Sequence, residues 1–284
     1  MNHISVHEAA PRVKSAPTGA RARLAQSAIR NPQSPPGDQA ATLRQLFARR
    51  SARLLPVLLP QGAHEVRASW IARLAQGFAR QGERTLLVDA TRLQIAAALG
   101  LRARFDLAHV LNGDCALDAA LLDAGTNLAV LPAACALAQP QGAVRLLHQL
   151  SVLGQAKVDL VLLLLPPSVC AHLPDCDVLV TLLPDAQDLN AQLSTLQHAD
   201  RALAQRAEIP VTGRFRLLFL AMGAGPASTL AQRLVEKINM SGSMSVDFAG
   251  SARVARDLAE VVRAAAGWAT GRLADPAPAN GSTE

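Results

Sequence analysis

An almost unbroken apolar run, Leu54–Leu59, is followed by a polar stretch. After it Ile71, Leu74, Ala75 and Phe78 recur at i, i+3, i+4 and i+7. The first pattern predicts a buried parallel strand and the second an amphipathic helix with one apolar face. Gly82 sits where a glycine commonly ends a helix, and Thr85–Val88 predicts the next strand, finishing at Asp89.

The same alternation continues along the chain. Residues 104–112 and 116–123 predict two short helices around Gly113. Residues 127–131 predict a strand, 142–153 a helix, and 159–165 a fully apolar strand closed by Pro166 and Pro167. Strands follow at 178–183 and 216–221, separated by a helix over 186–208. A glycine-rich turn then leads to a helix at 227–239 and a last strand at 244–248. Ser251 is expected to cap a final helix with Val254, Leu258, Val261, Ala265 and Trp268 on one face. Strands alternating with helices, and apolar on both sides, predict an α/β domain: a mostly parallel sheet with helices on both faces, from about Leu54 to Arg272. Its strands would comprise 54–59, 85–89, 127–131, 159–165, 178–183 and 216–221.

Charge changes the picture at the N-terminus. The net charge is +6, yet residues 1–53 hold nine Lys/Arg against two Asp/Glu, and the remainder holds 19 against 20. Residues 1–37 carry five prolines and no apolar period, so they read as a disordered basic arm, suited to an acidic protein or anionic lipid. Residues 273–284 read as a disordered tail. Between arm and domain, DQAATLRQLFARR (38–50) predicts a short helix capped by Asp38, with Ala40, Leu43, Leu46 and Phe47 on one stripe. Such a helix is marginal alone in water and must dock on something.

Other classes recede. The chain has no tyrosine and only 3% aromatic residues, which argues against stacking on nucleic acid. No apolar run reaches a membrane span and no signal-peptide core opens the chain, so cytoplasm is the expected compartment. Cys170, His172 and Cys176 suggest a metal corner but lack a fourth ligand at a usual spacing, so no metal site is expected.

The turn after the first strand is where a nucleotide-binding βαβ unit holds phosphates, using glycines, a lysine and a hydroxyl for magnesium. Counted back from Asp89, those places hold Gly62, Ala63, His64, Glu65, Val66, Arg67 and Ala68. The scaffold of a phosphate-binding turn is present, with Gly62, Arg67 and Asp89 as its candidate residues, but most of its chemistry is missing; His64 and Glu65 are expected in an exposed turn.

The order of segments resembles the MinD/ParA branch of P-loop ATPases, and within it the flagellar-number regulators FlhG (also called FleN). Three stretches carry the resemblance: TLLVDATRLQIAAALGL (85–101), FDLAHVLNGDCALDAALLDAGTNLAVLPA (105–133) and DQAATLR (38–44). The third is similar to the DQA-x-x-LR motif that precedes the ATPase domain in FlhG. The resemblance implies a K-G-G-V-G-K-T phosphate loop, from which this chain departs throughout. Gly62 stands at the signature lysine, Arg67 at the second lysine and Ala68 at the magnesium hydroxyl. Thr91 replaces a second switch aspartate, and Leu164 replaces the later aspartate of an Asp-x-x-x-x-Asp pattern that begins at Asp159. The expectation is a flagellar biogenesis regulator that is a pseudo-ATPase and needs no cofactor, with ATP and Mg²⁺ only if the degenerate site still binds them. The implied partner is an FlhF-like signal-recognition-type GTPase, contacted through Asp38, Gln39, Ala40, Leu43, Arg44 and Phe47. Flagellar basal-body components are further implied partners. Any membrane contact would be weak or indirect, with peripheral placement at the membrane or pole through a partner. The alternatives are an active MinD-type membrane-cycling ATPase and a MinD-like accessory of another envelope machine, such as cellulose secretion.

Overall fold

In a computed structural model of the chain, the described residues are 52–59, 64–139, 141–154, 158–183, 189–204, 214–239, 245–268 and 271–272. The basic arm, the helix expected at 38–50, Gly62 and the tail from residue 273 lie outside them.

Among the described residues nine strands form one sheet: β1 (Arg53–Leu58), β2 (Thr85–Asp89), β3 (Leu122–Asp123), β4 (Leu128–Pro132), β5 (Leu160–Leu165), β6 (Val178–Leu182), β7 (Arg214–Leu220), β8 (Ser245–Ala252) and β9 (Gly271–Arg272). Their order is β3-β4-β2-β5-β1-β6-β7-β8. All pairings are parallel except β3 with β4 and β9 with β1. β5, with every residue buried, lies between β2 and β1, as its unbroken Leu/Val sequence requires. β6 reaches β1 only at Val57 and Leu58, whereas β9 covers Arg53 and Leu54. Pro56, which has no N–H to donate, falls between those two pairings, where a strand tolerates it.

Helices α1 (His64–Arg80), α2 (Ile95–Ala98), α3 (Leu107–Leu111), α4 (Leu117–Ala120), α5 (Gly142–Gly154), α6 (Leu189–Ala204), α7 (Ala224–Asn239) and α8 (Leu258–Trp268) connect the strands. Ile71, Leu74, Ala75 and Phe78 of α1 are buried with Leu258, Val261, Val262 and Ala265 of α8 in one core cluster. Leu146 and Leu150 of α5, Leu196 of α6, and Ala227, Leu234 and Ile238 of α7 share a second. Each fully buried Leu is worth about 1.5–3 kcal/mol over exposure, so these two layers dominate stability. α1 ends as its glycine predicts: Gly82 takes a positive φ, its N–H donates to Ala79, and the Glu83 N–H reaches Phe78.

Several local expectations are corrected. Residues 116–123 form α4 and then turn into β3, because Leu122 and Asp123 pair with the edge of β4. Ser251 is not a helix cap. A register shift by Gly250 carries β8 on to Ala252, and Asp257 Oδ2 accepts the N–H groups of Arg253 and Val254 instead. His64 and Glu65 lie in the first turn of α1, not in a loop.

The end of the sheet where the parallel strands begin is tied by charge. Arg84 donates to the Asp159 carboxylate twice from its guanidinium and once from its backbone N–H. Asp177, before β6, meets Arg214 and Arg216 of β7, and Arg216 also approaches Asp247 of β8.

Candidate functional site

β2 delivers Asp89 to the carboxyl end of the sheet, where the strand gives way to a tight turn. Asp89 is 6% exposed. Its Oδ1 accepts the Thr91 N–H at 3.0 Å and the Thr91 hydroxyl at 2.7 Å, and its Oδ2 accepts the Ile95 N–H at 3.1 Å. Thr91 Oγ1 in turn accepts from Leu93. Gln94, between them, is held in the left-handed region at φ 57 to open α2. The carboxylate therefore works as the cap of α2 and the knot of its turn. Burial pushes its carboxyl above the usual range, while the Thr91 hydroxyl and the backbone N–H groups of Ile95, Thr91 and Gln94 oppose that shift.

Among the described residues, the two positions expected to supply a metal with oxygen carry carbon instead. Leu164, its register partner on β5, is fully buried aliphatic carbon. Ala68 is 3% exposed and packs in the same core cluster as α8. Arg67 is 2% exposed, so its cation is drawn into the domain and not presented to solvent. Val66 is half exposed, and Glu65 and Ser69 beside it also face water. Magnesium needs oxygen ligands at short, near-octahedral distances. The expected positions offer a methyl group, an isobutyl group and a carboxylate already committed to three donors, so the residues described here do not fit the ion. Gly62 lies outside the described residues.

Asp159 does not join this site. It stands at the opposite end of β5, gripping Arg84, and that arginine holds its carboxyl below the usual range. Cys170 and Cys176 are buried. Burial, and next Cys176, push the Cys170 thiol up to about 12, so it does not offer the thiolate a metal requires. Among the described residues no group of three potential ligands forms a metal site.

Two cavities border the Asp89 turn. One, of about 360 Å³, lies between Asp89, Gln94, Ala97, Leu101 and Pro132. The other, of about 700 Å³, lies beside α5 between Arg92, Gln139, Ser168 and His172, and Thr91, Arg92 and Ala134 line both. Of the residues lining them, the sequence marks Asp89, Thr91 in place of a second switch aspartate, and His172 of the considered metal corner. Asp followed two residues later by Thr is the local signal of such a turn, because the hydroxyl and N–H fold back on the carboxylate.

α8 uses its apolar face inside the protein, against α1 and β8. No helix among the described residues is long and apolar enough to cross a membrane.

No protein-family profile and no curated protein matches the chain. Solved structures do. MinD cell division protein of Aquifex aeolicus is 16% identical, with 76% of this chain and 97% of that one covered at a TM-score of 0.50. McdA of Cyanothece in its ATP complex is 13% identical, covering 75% and 88% at 0.53. Cobyrinic acid a,c-diamide synthase of Mycobacterium smegmatis, with an ATP analogue and magnesium bound, is 18% identical, covering 78% and 100% at 0.54. At such identities the likeness is one of architecture, and it agrees with the strand order and crossovers: the chain has the MinD/ParA P-loop NTPase-like α/β fold.

Proposed function

We propose that this chain is a flagellar biogenesis regulator of the FlhG type whose ATP site has become structural. It acts by protein contact, stimulating an FlhF-like GTPase through residues 38–50. The observation that carries the first half is the engagement of Asp89: three hydrogen bonds from Thr91 and Ile95 hold the carboxylate that a nucleotide-bound metal would need. Ala68 and Leu164 support it by lining the place with carbon. The DQAATLR stretch supports the second half, because an activity housed in that helix needs nothing from the altered site.

In this reading Asp38 caps the helix, Gln39 approaches the partner's GTP, and Ala40, Leu43 and Phe47 supply the apolar contact. Arg44 pairs with an acidic group. Orienting water or shielding charge at the γ-phosphate is the step by which a glutamine speeds phosphoryl transfer. The test is GTP hydrolysis by the FlhF-like partner in the presence of a peptide of residues 31–53. Stimulation should fall sharply for Gln39→Ala and Leu43→Ala, whereas Glu65→Gln in the full chain should leave it unchanged. An inert peptide would remove the assignment.

The second reading is a working MinD-type ATPase. It is favoured by one observation: structures of this fold have been solved with ATP or an ATP analogue and magnesium. Sedimentation with and without ATP and Mg²⁺ separates the two, and an ATP-dependent dimer supports the second.

A further inference from the structure

At the far edge of the sheet, neighbouring strands send their chains to opposite faces. After β7 the chain enters α7, whose Ala227, Ala231 and Leu234 are buried in one core cluster. After β8 it enters α8, whose Leu258, Val261 and Ala265 are buried in the other. Where adjacent parallel strands diverge in this way, a crevice opens outside their carboxyl ends, and open α/β sheets bind ligands in such crevices. A cavity of about 410 Å³ lies there.

Its wall carries more positive than negative side chains. Arg253, Arg256 and Arg263 all line it, as do Gly223 and Ala224 at the start of α7. The turn feeding that helix is held by Ala221 in the left-handed region, at φ 58. Two carboxylates also line the wall. Asp257 is committed locally: its Oδ2 accepts the Arg253 and Val254 N–H groups, and its Oδ1 lies 3.8 Å from Arg256. Arg263 spends one N–H on its own helix, at Ala259. The remaining guanidinium donors of Arg253 and Arg263 match the geometry of phosphate oxygens. Glu260, the second carboxylate, opposes a bare anion but accepts from a hydroxyl.

We infer that this crevice binds a small hydroxylated phosphomonoester, with Arg253 and Arg263 on the phosphate and Glu260 on a ligand hydroxyl. The inference stands apart from the proposed GTPase contact. The phosphate source is a soluble metabolite; a phospholipid headgroup would present the same chemistry.

The experiment is calorimetric titration of the full chain with glycerol 3-phosphate, beside flotation with phosphatidylglycerol vesicles. Saturable binding of glycerol 3-phosphate is expected. Affinity should fall about tenfold or more for the Arg253→Ala/Arg263→Ala double variant, since each charged hydrogen bond lost is worth about that factor. Arg21→Ala/Arg23→Ala in the basic arm should leave affinity unchanged. All three crevice arginines are exposed, so the ligand-free variants should unfold at the parent temperature. Glu260→Gln should lessen the preference for glycerol 3-phosphate over inorganic phosphate. Absence of binding, equal binding by the double variant, or vesicle flotation without glycerol 3-phosphate binding would each overturn the inference.

Discussion

Arg84 holds Asp159 with two parallel bonds, Nε to Oδ2 at 2.9 Å and Nη2 to Oδ1 at 2.7 Å, and so rivets β2 to β5 where both strands begin. Asp159 also receives the Arg84 N–H, and its backbone carbonyl accepts from Arg53 of β1. Because the hydrogen bond from Arg84 lowers the Asp159 pKa, its contribution is present above the unfolded value, about 3.9, and lost as pH falls through the folded value. Asp159→Asn should lower stability at pH 7, with the gap to the parent narrowing at pH 3, as read by urea unfolding at both. The effect should be small, because both side chains are more than a third exposed.

Asp89 works in the opposite sense. Its carboxyl is raised by burial, so its contribution is present below the unfolded value and is lost as pH rises through the folded one. At neutral pH the turn depends on the donors that offset this cost. Thr91→Val removes the hydroxyl at 2.7 Å and should destabilise by about 1.5–3 kcal/mol, the usual worth of a hydrogen bond to a charged group, measured by denaturant unfolding at pH 7.

Restoring a hydroxyl at position 68 should not create an ATPase. Ala68 is closed into the core, so Ala68→Thr adds volume to a packed layer and should cost about 1–3 kcal/mol. Sedimentation of this variant should show no ATP-dependent dimer, because Leu164 still lines the site.

Gly77 is required by its neighbour and not by its dihedrals. A Cβ there would stand 2.9 Å from Val262 Cγ2, where α1 crosses α8. In an open helix, alanine would gain about 0.5–1 kcal/mol over glycine. Here Gly77→Ala should instead destabilise by about 1–3 kcal/mol, since the β-branched Val262 has little rotamer freedom to give way. The double variant with Val262→Ala should be no less stable than Val262→Ala alone, a coupling that a thermal-unfolding cycle resolves.

β1, β2 and β4 to β7 were legible because each is a largely apolar run with Gly, Pro or Asp at or near one of its ends. The 159–165 run lies at the centre of the sheet as its sequence demands. What escaped was set by partners distant in sequence. β3 and β9 have only two residues each, and no periodicity exists over two residues; they are strands because β4 and β1 present open backbone. The end of the last strand was missed for the same reason, since the pairing of β7 with Gly250 and Ser251 overrides the local promise of a serine cap. The site was half legible. Asp89 was marked by position, but its engagement with Thr91 and the arginine-lined crevice after β8 depend on how the chain turns. Four of the positive-φ residues are Gln94, Asn127, Gln141 and Ala221, none of them glycine.

Because Arg53 pairs with Arg272, β1 gains this neighbour only after residue 272 has been synthesised. The first strand of the domain leaves the ribosome with no partner. β5 must be made before one edge of β1 is covered, and β9, near the other end of the chain, before the opposite edge is filled. Until then Arg53–Leu58 is an exposed apolar segment of the kind that aggregates, and Pro56 in its middle is the residue that discourages pairing with another nascent chain. A chain ending at Gly154 should be insoluble, and more so with Pro56→Val, as read by sedimentation of translation products. Equal solubility of the two truncated chains would show that Pro56 plays no such part.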